Sequence, residues 1–306
     1  MVKKVLVMMG GFSSEREVSL VSGRCVEEAL QKAGYEAVAY DLKNIADFVQ
    51  VLKQEKPDVV FNALHGNWGE DGEIQGFLDM LQIPYTHSGL KASAVGMDKI
   101  LTKQICREIR IKTAPSEVLT YATLKKEGTV MAMPYVIKPV CDGSSVGVHI
   151  IHGPEDLKNV VYDNDETMLM VEKYIPGREL TVMCLNGKAY VVTELRPKTE
   201  FYDYKAKYTD GVVEHLLPAD LPEEVTNTCL RYAEKLHERI GCNTVSRVDL
   251  RYNKEDGVVL LEINTAPGLT PLSLVPEQAR YAGISYEQLC SILVENATCR
   301  KLPKIG

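Results

Sequence analysis

The sequence lacks the features that several large classes of protein require. Its net charge is −7 at pH 7, and no segment carries the clustered lysines and arginines that bind nucleic-acid phosphates. No apolar run approaches the roughly 20 residues of a membrane-spanning helix, and no signal-peptide cleavage site follows the short run after Lys3 and Lys4. We therefore expect a cytoplasmic protein that binds neither nucleic acid nor a membrane.

The eight cysteines do not form the pattern of a metal site or a disulfide framework. None lies in a CxxC pair or next to a histidine at zinc-ligand spacing, so we expect reduced thiols. The chain does contain ample material for hydrophobic cores, because 45% of its 306 residues are hydrophobic and 25% are charged. This composition is typical of a globular protein.

The pattern of strands and helices divides the chain into three regions. The continuous apolar run at 4–9 predicts a strand buried on both faces, and a helix is expected over 19–33, which indicates an α/β region with a parallel sheet. A charged helix at 98–110 and short strands around a glycine-rich turn predict a smaller α+β region, and hairpin-like strands predict antiparallel sheet in the third. We place the domains at 1–96, 97–178 and 179–306.

A predicted hairpin carries four polar side chains on one face. Alternate residues of a strand point the same way, so Arg247 shares a face with Asp249, and Glu262 shares one with Asn264. The turn at 253–257 joins the two strands. Oxygen donors on a rigid sheet suit Mg²⁺ together with phosphate, and Arg247 would neutralise negative charge beside the metal. A solvated polar face is the alternative interpretation.

Two lysines are candidates for phosphate contacts. Lys138 lies at a strand end, at the start of the glycine-rich stretch 138–147, whose backbone N–H groups are suited to anions. An ordinary hairpin loop fits the same stretch, because it matches neither standard phosphate-loop pattern. Lys99 begins a predicted helix and is equally compatible with a surface role.

Three further stretches have the composition of loops around a site. Glu15 follows the first strand, where it would suit a substrate ammonium or, equally, a helix N-terminus, and the third glycine of a dinucleotide-binding fold is missing. His65, in the glycine-rich stretch 63–72, is either a site residue or a structural histidine. The tyrosine-rich stretch 201–211 is typical of a lid or of an exposed loop.

In this order the motifs resemble the D-alanine–D-alanine ligase family of ATP-grasp enzymes. The resemblance runs through almost the whole chain and is carried by GGFSSEREVSL, ALHGNWGEDG, SGLKASAVGMDK, IKPVCDGSSVG, VEKYIPGRELTV, FYDYKAKY, SRVDLR and LLEINTAPGLTPLSLVP. It implies an ATP-grasp fold, with ATP between two antiparallel sheets, and ligation of two D-alanine molecules for peptidoglycan synthesis. It also implies two Mg²⁺ ions, with Mn²⁺ as a substitute, and a homodimer.

The resemblance further implies a role for each matching residue. The nucleotide would be held by Lys99, Lys138, Glu172, Tyr174, Ile175, Glu179 and Lys207. The metal ions would be bound by Asp249, Glu262 and Asn264. Catalysis would depend on Glu15, Ser144, Tyr208, Arg247 and the backbone N–H of Gly268. The two substrates would also be contacted by His65, Glu70, Ser273 and the backbone of Leu274.

The sequence leaves two alternatives open. Tyr208 favours D-alanine as the acceptor, because family members that make the D-alanyl-D-lactate ester commonly lack this tyrosine, but D-lactate or D-serine is the rival acceptor. The rival from another class is a regulatory protein that binds a nucleotide and keeps the fold without catalysis.

Overall fold

The structure is a computed structural model that describes residues 2–143, 147–197 and 213–303. These residues form three β-sheets with helices packed against them. Ser144, Lys207 and Tyr208 lie outside the described residues, so the roles expected for them remain predictions.

The first sheet is parallel, as the alternation of strands and helices predicts. Strand β1 (Lys4–Gly10) lies between β2 (Glu36–Leu42) and β3 (Val59–Asn62). Its side chains are buried along almost its whole length, which explains its continuous apolar run. The helices of this part are α1 (Arg16–Lys32), α2 (Ile45–Glu55), α3 (Glu73–Leu81) and α4 (Leu90–Met97).

The second sheet is antiparallel and has the strand order β4-β7-β5-β6. Its strands are β4 (Ser116–Thr120), β5 (Tyr135–Pro139), β6 (His149–Ile151) and β7 (Met168–Lys173). Its helices are α5 (Lys99–Glu108), α6 (Tyr121–Glu127) and a 3-10 helix (Pro154–Asn159). The glycine-rich stretch joins β5 to β6, and Lys138 lies at the end of β5, as predicted.

The third sheet is also antiparallel, with the order β11-β10-β8-β12-β13 and β9 paired to β8. Its strands are β8 (Arg178–Leu185), β9 (Lys188–Ala189), β10 (Thr193–Pro197), β11 (Val213–Leu216), β12 (Val245–Asn253) and β13 (Gly257–Asn264). The helices that accompany it are α7 (Glu223–Ile240), α8 (Leu274–Tyr281) and α9 (Tyr286–Glu295). Helix α7 covers one face of the sheet with an apolar stripe that includes Cys229, Ala233 and Leu236.

The last described helix returns to the first sheet. Helix α9 packs against α1, and one hydrophobic core contains Val5 of β1, Met183 of β8 and Leu289 of α9. Backbone hydrogen bonds between Tyr85 and Thr298 extend this contact. The first and third sheets therefore share a core, which fixes one against the other.

The described part of the chain contains neither a membrane-spanning helix nor a disulfide bond. None of its helices is long and apolar enough to span a membrane. All eight cysteines lie within it, and each is a free thiol, as predicted.

Two helical glycines differ in what an added side chain would meet. A Cβ at Gly23 of α1 would lie 2.4 Å from the Cβ of Met9, which is buried in β1. A Cβ at Gly76 of α3 would lie 2.7 Å from the Cδ1 of Leu90, the tip of a flexible and exposed side chain. The close approach of α1 to β1 therefore requires glycine, whereas the contact at α3 can relax.

We expect Gly23→Ala to lower the free energy of unfolding by about 1–3 kcal/mol, because the backbone of β1 fixes the Cβ of Met9. Gly76→Ala should raise it or leave it unchanged, since alanine is favoured over glycine in a helix by about 1 kcal/mol. Urea denaturation of the two variants measures both effects. Equal effects would contradict the packing of α1 on β1.

Candidate active site

One cavity lies between the second and third sheets, next to loops of the first. It is lined by every described residue that the motifs predict as a site residue: Glu15, His65, Glu70, Lys99, Lys138, Glu172, Tyr174, Ile175, Glu179, Arg247, Asp249, Glu262, Asn264, Gly268, Ser273 and Leu274. The fold thus brings together residues from distant parts of the sequence. The role of each one remains a prediction.

Strands β12 and β13 form the predicted hairpin and bring four polar side chains to the cavity. Asp249 lies opposite Glu262, and Arg247 lies opposite Asn264. The register shifts immediately after Asp249, so that Leu261 is the extra residue of a β-bulge. Bulges of this kind change the direction of side chains next to active sites. The pairing confirms that the four side chains share one face.

Asp249 is the centre of a hydrogen-bond network. The Nε and Nη2 of Arg247 donate to its two carboxylate oxygens at 2.9 and 2.7 Å. The Nδ2 of Asn264 donates to Oδ2 at 3.1 Å, and the buried hydroxyl of Thr181 donates to Oδ1 at 2.7 Å. The side chains of Arg247 and Asp249 are only 16% and 15% exposed, so this is no solvated polar face. The carboxylate is oriented before any ligand binds.

Asp249 and the polar side chains next to it offer oxygen atoms that could bind a hard divalent cation. Such a cation would also bind oxygen atoms of a ligand. Within the ranges that the structure describes, no three His, Cys, Asp or Glu side chains form a metal-binding group. Asp249, Glu262 and the amide of Asn264 instead offer two carboxylates and a carbonyl oxygen, and Mg²⁺ commonly completes such a set with phosphate and water. Arg247, Thr181 and Asn264 together donate four hydrogen bonds to the carboxylate of Asp249, which has about four lone-pair sites, so a cation at Asp249 would have to displace one of these donors.

A buried charge cluster forms another part of the cavity wall. Glu172 on β7 is 3% exposed, and its two oxygens accept from the Nζ of Lys138 at 2.5 Å and the Nζ of Lys103 at 2.6 Å. Burial alone would raise the pKa of Glu172, but the attraction of Lys138 and Lys103 outweighs it and lowers the pKa below its usual value. The Glu172 carboxylate is therefore ionised and held by two cations.

Lys99 connects helix α5 to the glycine-rich stretch. The side chain of Asp98 accepts hydrogen bonds from the backbone N–H groups of Ile100 and Leu101, and this N-cap begins the helix at Lys99. The Nζ of Lys99 donates to the backbone carbonyl of Asp142 at 2.5 Å. Burial lowers the pKa of Lys99, so a bound anion would favour its charged form. The surface interpretation of Lys99 is wrong, because the residue is 8% exposed.

The loops that follow β1 and β3 hold three titratable side chains at the cavity. Glu15 is buried at the N-cap position of α1, where its side chain makes no capping bond, and the hydroxyl of Ser13 accepts from its backbone N–H at 3.1 Å. Glu15 thus lies both at a helix N-terminus and on the cavity, and the two interpretations stay open. The ring of His65 lies 3.2 Å from Glu70 through Nδ1 and 3.0 Å from Ser22 through Nε2. Burial raises the pKa of Glu70. His65 therefore both lines the cavity and links its loop to α1.

The N-terminus of α8 faces the cavity. Ser273 is its N-cap residue, but the side chain makes no capping bond and instead hydrogen-bonds the hydroxyl of Thr270 at 2.7 Å. The N–H of Leu274 belongs to the first turn, where backbone donors have no partner inside the helix. Gly268 lies close to Ser273, since a Cβ on Gly268 would be 3.2 Å from the Ser273 Oγ. A hydroxyl and backbone N–H groups at a helix N-terminus suit a carboxylate.

Lys103 and Arg251 contact predicted site residues but were not themselves predicted. Lys103 lies four residues after Lys99, so both are on one face of α5, and this spacing was an available signal. Arg251 follows Asp249 by two residues on the same strand face. It donates to Glu179 at 3.3 Å, and its guanidinium lies 5.6 Å from the centre of the Tyr174 ring.

The stability that Glu172 contributes should depend on pH with a defined sign. Its folded-state pKa lies below the unfolded value, so the contribution is present above the unfolded pKa and is lost as pH falls through the folded pKa. Glu172→Gln should lower the free energy of unfolding by about 3 kcal/mol or more near pH 7, because two buried lysines lose their carboxylate. The difference from the wild type should shrink below about pH 4.5.

Urea denaturation between about pH 3 and pH 7 measures this difference. Glu108→Gln is the control, since Glu108 forms an exposed pair with Arg239 and should change stability by less than about 1 kcal/mol. A Glu172→Gln effect that does not change with pH would contradict the ionised cluster.

Comparison with known proteins agrees with this geometry. The model of the family described as "D-ala D-ala ligase N-terminus" matches residues 44–88, and that of "D-ala D-ala ligase C-terminus" matches residues 107–295. A curated relative from Zymomonas mobilis, named D-alanine–D-alanine ligase, is 48% identical over 305 residues, which cover 96% of this chain and 94% of that protein. A relative of the same name from Cereibacter sphaeroides is 46% identical over 301 residues, which cover 97% of each.

A solved structure is similar over the same extent. The crystal structure of D-alanine–D-alanine ligase from Bacillus anthracis complexed with ATP is 33% identical in sequence, with a TM-score of 0.80 and coverage of 97% of both chains. The family and the ATP-grasp fold that the motifs predict are thereby confirmed. The chain belongs to the D-alanine–D-alanine ligase family.

Proposed function

We propose that the protein joins two D-alanine molecules to form D-alanyl-D-alanine, while ATP is converted to ADP and phosphate. The observation that carries the proposal is that separate motifs, recognised in the sequence alone, have their described residues on one cavity. ATP as the nucleotide is supported by the Bacillus anthracis ligase, which was crystallised with it. The dipeptide would be a precursor of peptidoglycan.

ATP would lie between the second and third sheets. The base would border Glu172, Tyr174 and Ile175, which supply a carboxylate, an aromatic ring and an apolar side chain to the cavity. Glu179 would accept hydrogen bonds from the ribose hydroxyls, and its contact with Arg251 holds it in place.

The phosphates would lie along the two buried lysines of the cavity and the glycine-rich stretch. Lys99 and Lys138 supply point charges, and Lys207, outside the described residues, would add a third. Asp249, Glu262 and Asn264 would hold two Mg²⁺ ions, and Mn²⁺ accepts the same oxygen donors. When bound, the metal would offset negative charge on the phosphates.

The first D-alanine would be held so that its carboxylate faces the terminal phosphate of ATP. Glu15 would pair with its ammonium group, and His65 and Glu70 would hold the neighbouring loop. Ser144 and Tyr208, which lie outside the described residues, would connect to Glu15. Attack of a carboxylate oxygen on the γ-phosphorus forms an acyl phosphate and releases ADP, a step that depends on positioning and charge neutralisation.

The second D-alanine would bind at the N-terminus of α8. Its carboxylate would accept hydrogen bonds from the hydroxyl of Ser273 and the backbone N–H of Leu274. Its amine attacks the acyl carbon, and loss of phosphate from the tetrahedral intermediate leaves the new amide bond. Arg247 and the N–H of Gly268 would stabilise the oxyanion of that intermediate.

The proposal also includes the cellular location and the oligomeric state of the enzyme. A reaction that consumes ATP to make a cell-wall precursor belongs in the cytoplasm, and eight free thiols suit a reducing compartment. A homodimer is the proposed assembly, because family members are commonly dimeric.

We expect phosphate release from ATP to require both Mg²⁺ and D-alanine and to yield D-alanyl-D-alanine. The measurement is a phosphate assay with D-alanine alone and with D-lactate or D-serine added, followed by mass analysis of the product. A mixed product would contradict the choice of acceptor. No release from a folded protein that binds ATP would contradict the ligase activity and favour a regulatory nucleotide-binding protein.

Ser273→Ala should raise the KM for the second D-alanine about tenfold, since one hydrogen bond to a charged group is lost. It should also lower the free energy of unfolding by about 1 kcal/mol, because the Ser273 hydroxyl accepts from the backbone N–H of Thr270 at 3.1 Å and bonds the Thr270 hydroxyl. Ser285→Ala is the matched control, since Ser285 accepts from the N–H of Gln288 as the N-cap of α9. The control should lower the free energy of unfolding by about 1 kcal/mol and leave the KM unchanged.

Steady-state kinetics and thermal unfolding of both variants distinguish these outcomes. A KM that is unchanged in Ser273→Ala would remove Ser273 from the acceptor site.

A further inference from the structure

Lys103 contacts the cavity wall from behind. Glu172 and Lys138 are among the described residues that line the cavity, whereas Lys103 is not. Its side chain is 10% exposed, and its Nζ donates to Glu172 Oε2 at 2.6 Å and to the carbonyl oxygen of Ala114 at 2.8 Å. Lys103 would therefore act on a bound nucleotide through the wall residue Glu172 and not by direct contact.

One lysine is enough to neutralise the negative charge of Glu172, so the second lysine needs another explanation. Glu172 already has Lys138 as a partner, and burying a further ion costs several kcal/mol unless its contacts compensate. The two lysines approach different oxygens of the carboxylate, Oε1 and Oε2. They therefore fix the plane of the carboxylate as well as its charge. About four lone-pair sites are available on a carboxylate, so sites remain for a donor on a ligand.

The two lysines reach Glu172 from different elements of the fold. Glu172 pairs with Val136 and Met170 pairs with Lys138 across β5 and β7, so Glu172 and Lys138 are diagonal neighbours on one face of the sheet. Lys103 comes from α5 instead, and its bond to the carbonyl of Ala114 fixes its Nζ. Each cation thus has its own rigid support, and Glu172 cannot turn without breaking a short contact.

We propose that Lys103 is a positioning residue that selects adenine over guanine, by holding the Glu172 carboxylate in one orientation as a hydrogen-bond acceptor. This role rests on the proposed function, under which Glu172 borders the base. The 6-amino group of adenine donates hydrogen bonds, whereas the 6-oxo group of guanine only accepts them. A fixed, ionised carboxylate accepts a hydrogen bond from the amino group of adenine and repels the oxygen of guanine. If Glu172 could turn or take up a proton, this discrimination would weaken.

The test is the affinity for ATP and for GTP, measured by calorimetry with Mg²⁺ and without D-alanine. Lys103→Met keeps the length of the side chain and removes its charge and donors. We expect it to weaken ATP binding about tenfold and GTP binding by less than about twofold, so that the preference for ATP falls about fivefold or more. Lys125→Met, which breaks an exposed ion pair with Asp165, should leave both affinities unchanged.

A double-mutant cycle distinguishes positioning from a general loss of structure. In a Glu172→Gln background, Lys103→Met should not change the ratio of the two affinities, because Lys103 acts through the Glu172 carboxylate. Equal losses of ATP and GTP affinity in Lys103→Met would overturn the proposal. The same loss of preference in the presence and absence of the Glu172 carboxylate would also overturn it.

Lys103→Arg serves if Lys103→Met does not fold. It keeps the charge, but a planar guanidinium cannot reproduce the position of Nζ, so the preference for ATP should still fall. An unchanged preference in a folded Lys103→Arg protein overturns the proposal.

A wild type that prefers ATP but forms no dipeptide would contradict only the proposed function. A wild type that forms dipeptide, with its ATP preference kept in Lys103→Met, would contradict only the role of Lys103.

Discussion

The pairing of Asp249 with Glu262 across β12 and β13 is the constraint on which the cavity depends. Like charges directly opposite each other on a sheet are destabilising, so this pairing needs positive charge nearby. In the described structure Arg247 supplies it, and Thr181 and Asn264 add hydrogen bonds to Asp249. A metal ion would meet the same need when substrates bind. The positive charge of Arg247 thus offsets the repulsion between the two carboxylates.

The same principle acts at the other end of the cavity with the charges reversed. There one carboxylate, Glu172, lies between two lysines. Both groups of charges are built on paired strands and are oriented by buried donors, so little reorganisation is needed when a ligand enters. Loops supply Glu15 and His65, which contact the smaller substrate in the proposed reaction. In the proposed reaction the paired strands would orient groups around the nucleotide, the loops after β1 and β3 would hold the first D-alanine, and the N-terminus of α8 would hold the second.

The sequence was most informative where side-chain spacing alone determines geometry. Strand alternation was sufficient to predict that Arg247 shares a face with Asp249 and that Glu262 shares one with Asn264. The two pairs meet on one face because of the bulge at Leu261, which the sequence did not reveal. Helix α4 was not predicted, because it is buried through small residues such as Gly96, whose backbone approaches Thr265, and such contacts exist only in the folded chain. Lys103 was missed for the same reason: a lysine on a charged helix is ordinarily exposed, and only tertiary packing buries it.

The return of α9 to α1 has a consequence for how the chain acquires its structure during synthesis. Helix α1 leaves the ribosome well before Leu289 and Leu293, which share its core. Until they emerge, Val26 and Leu30 lack these partners, and apolar surface left uncovered in this way promotes aggregation. The core around α1 is therefore completed only after the chain between α1 and α9 has been synthesised.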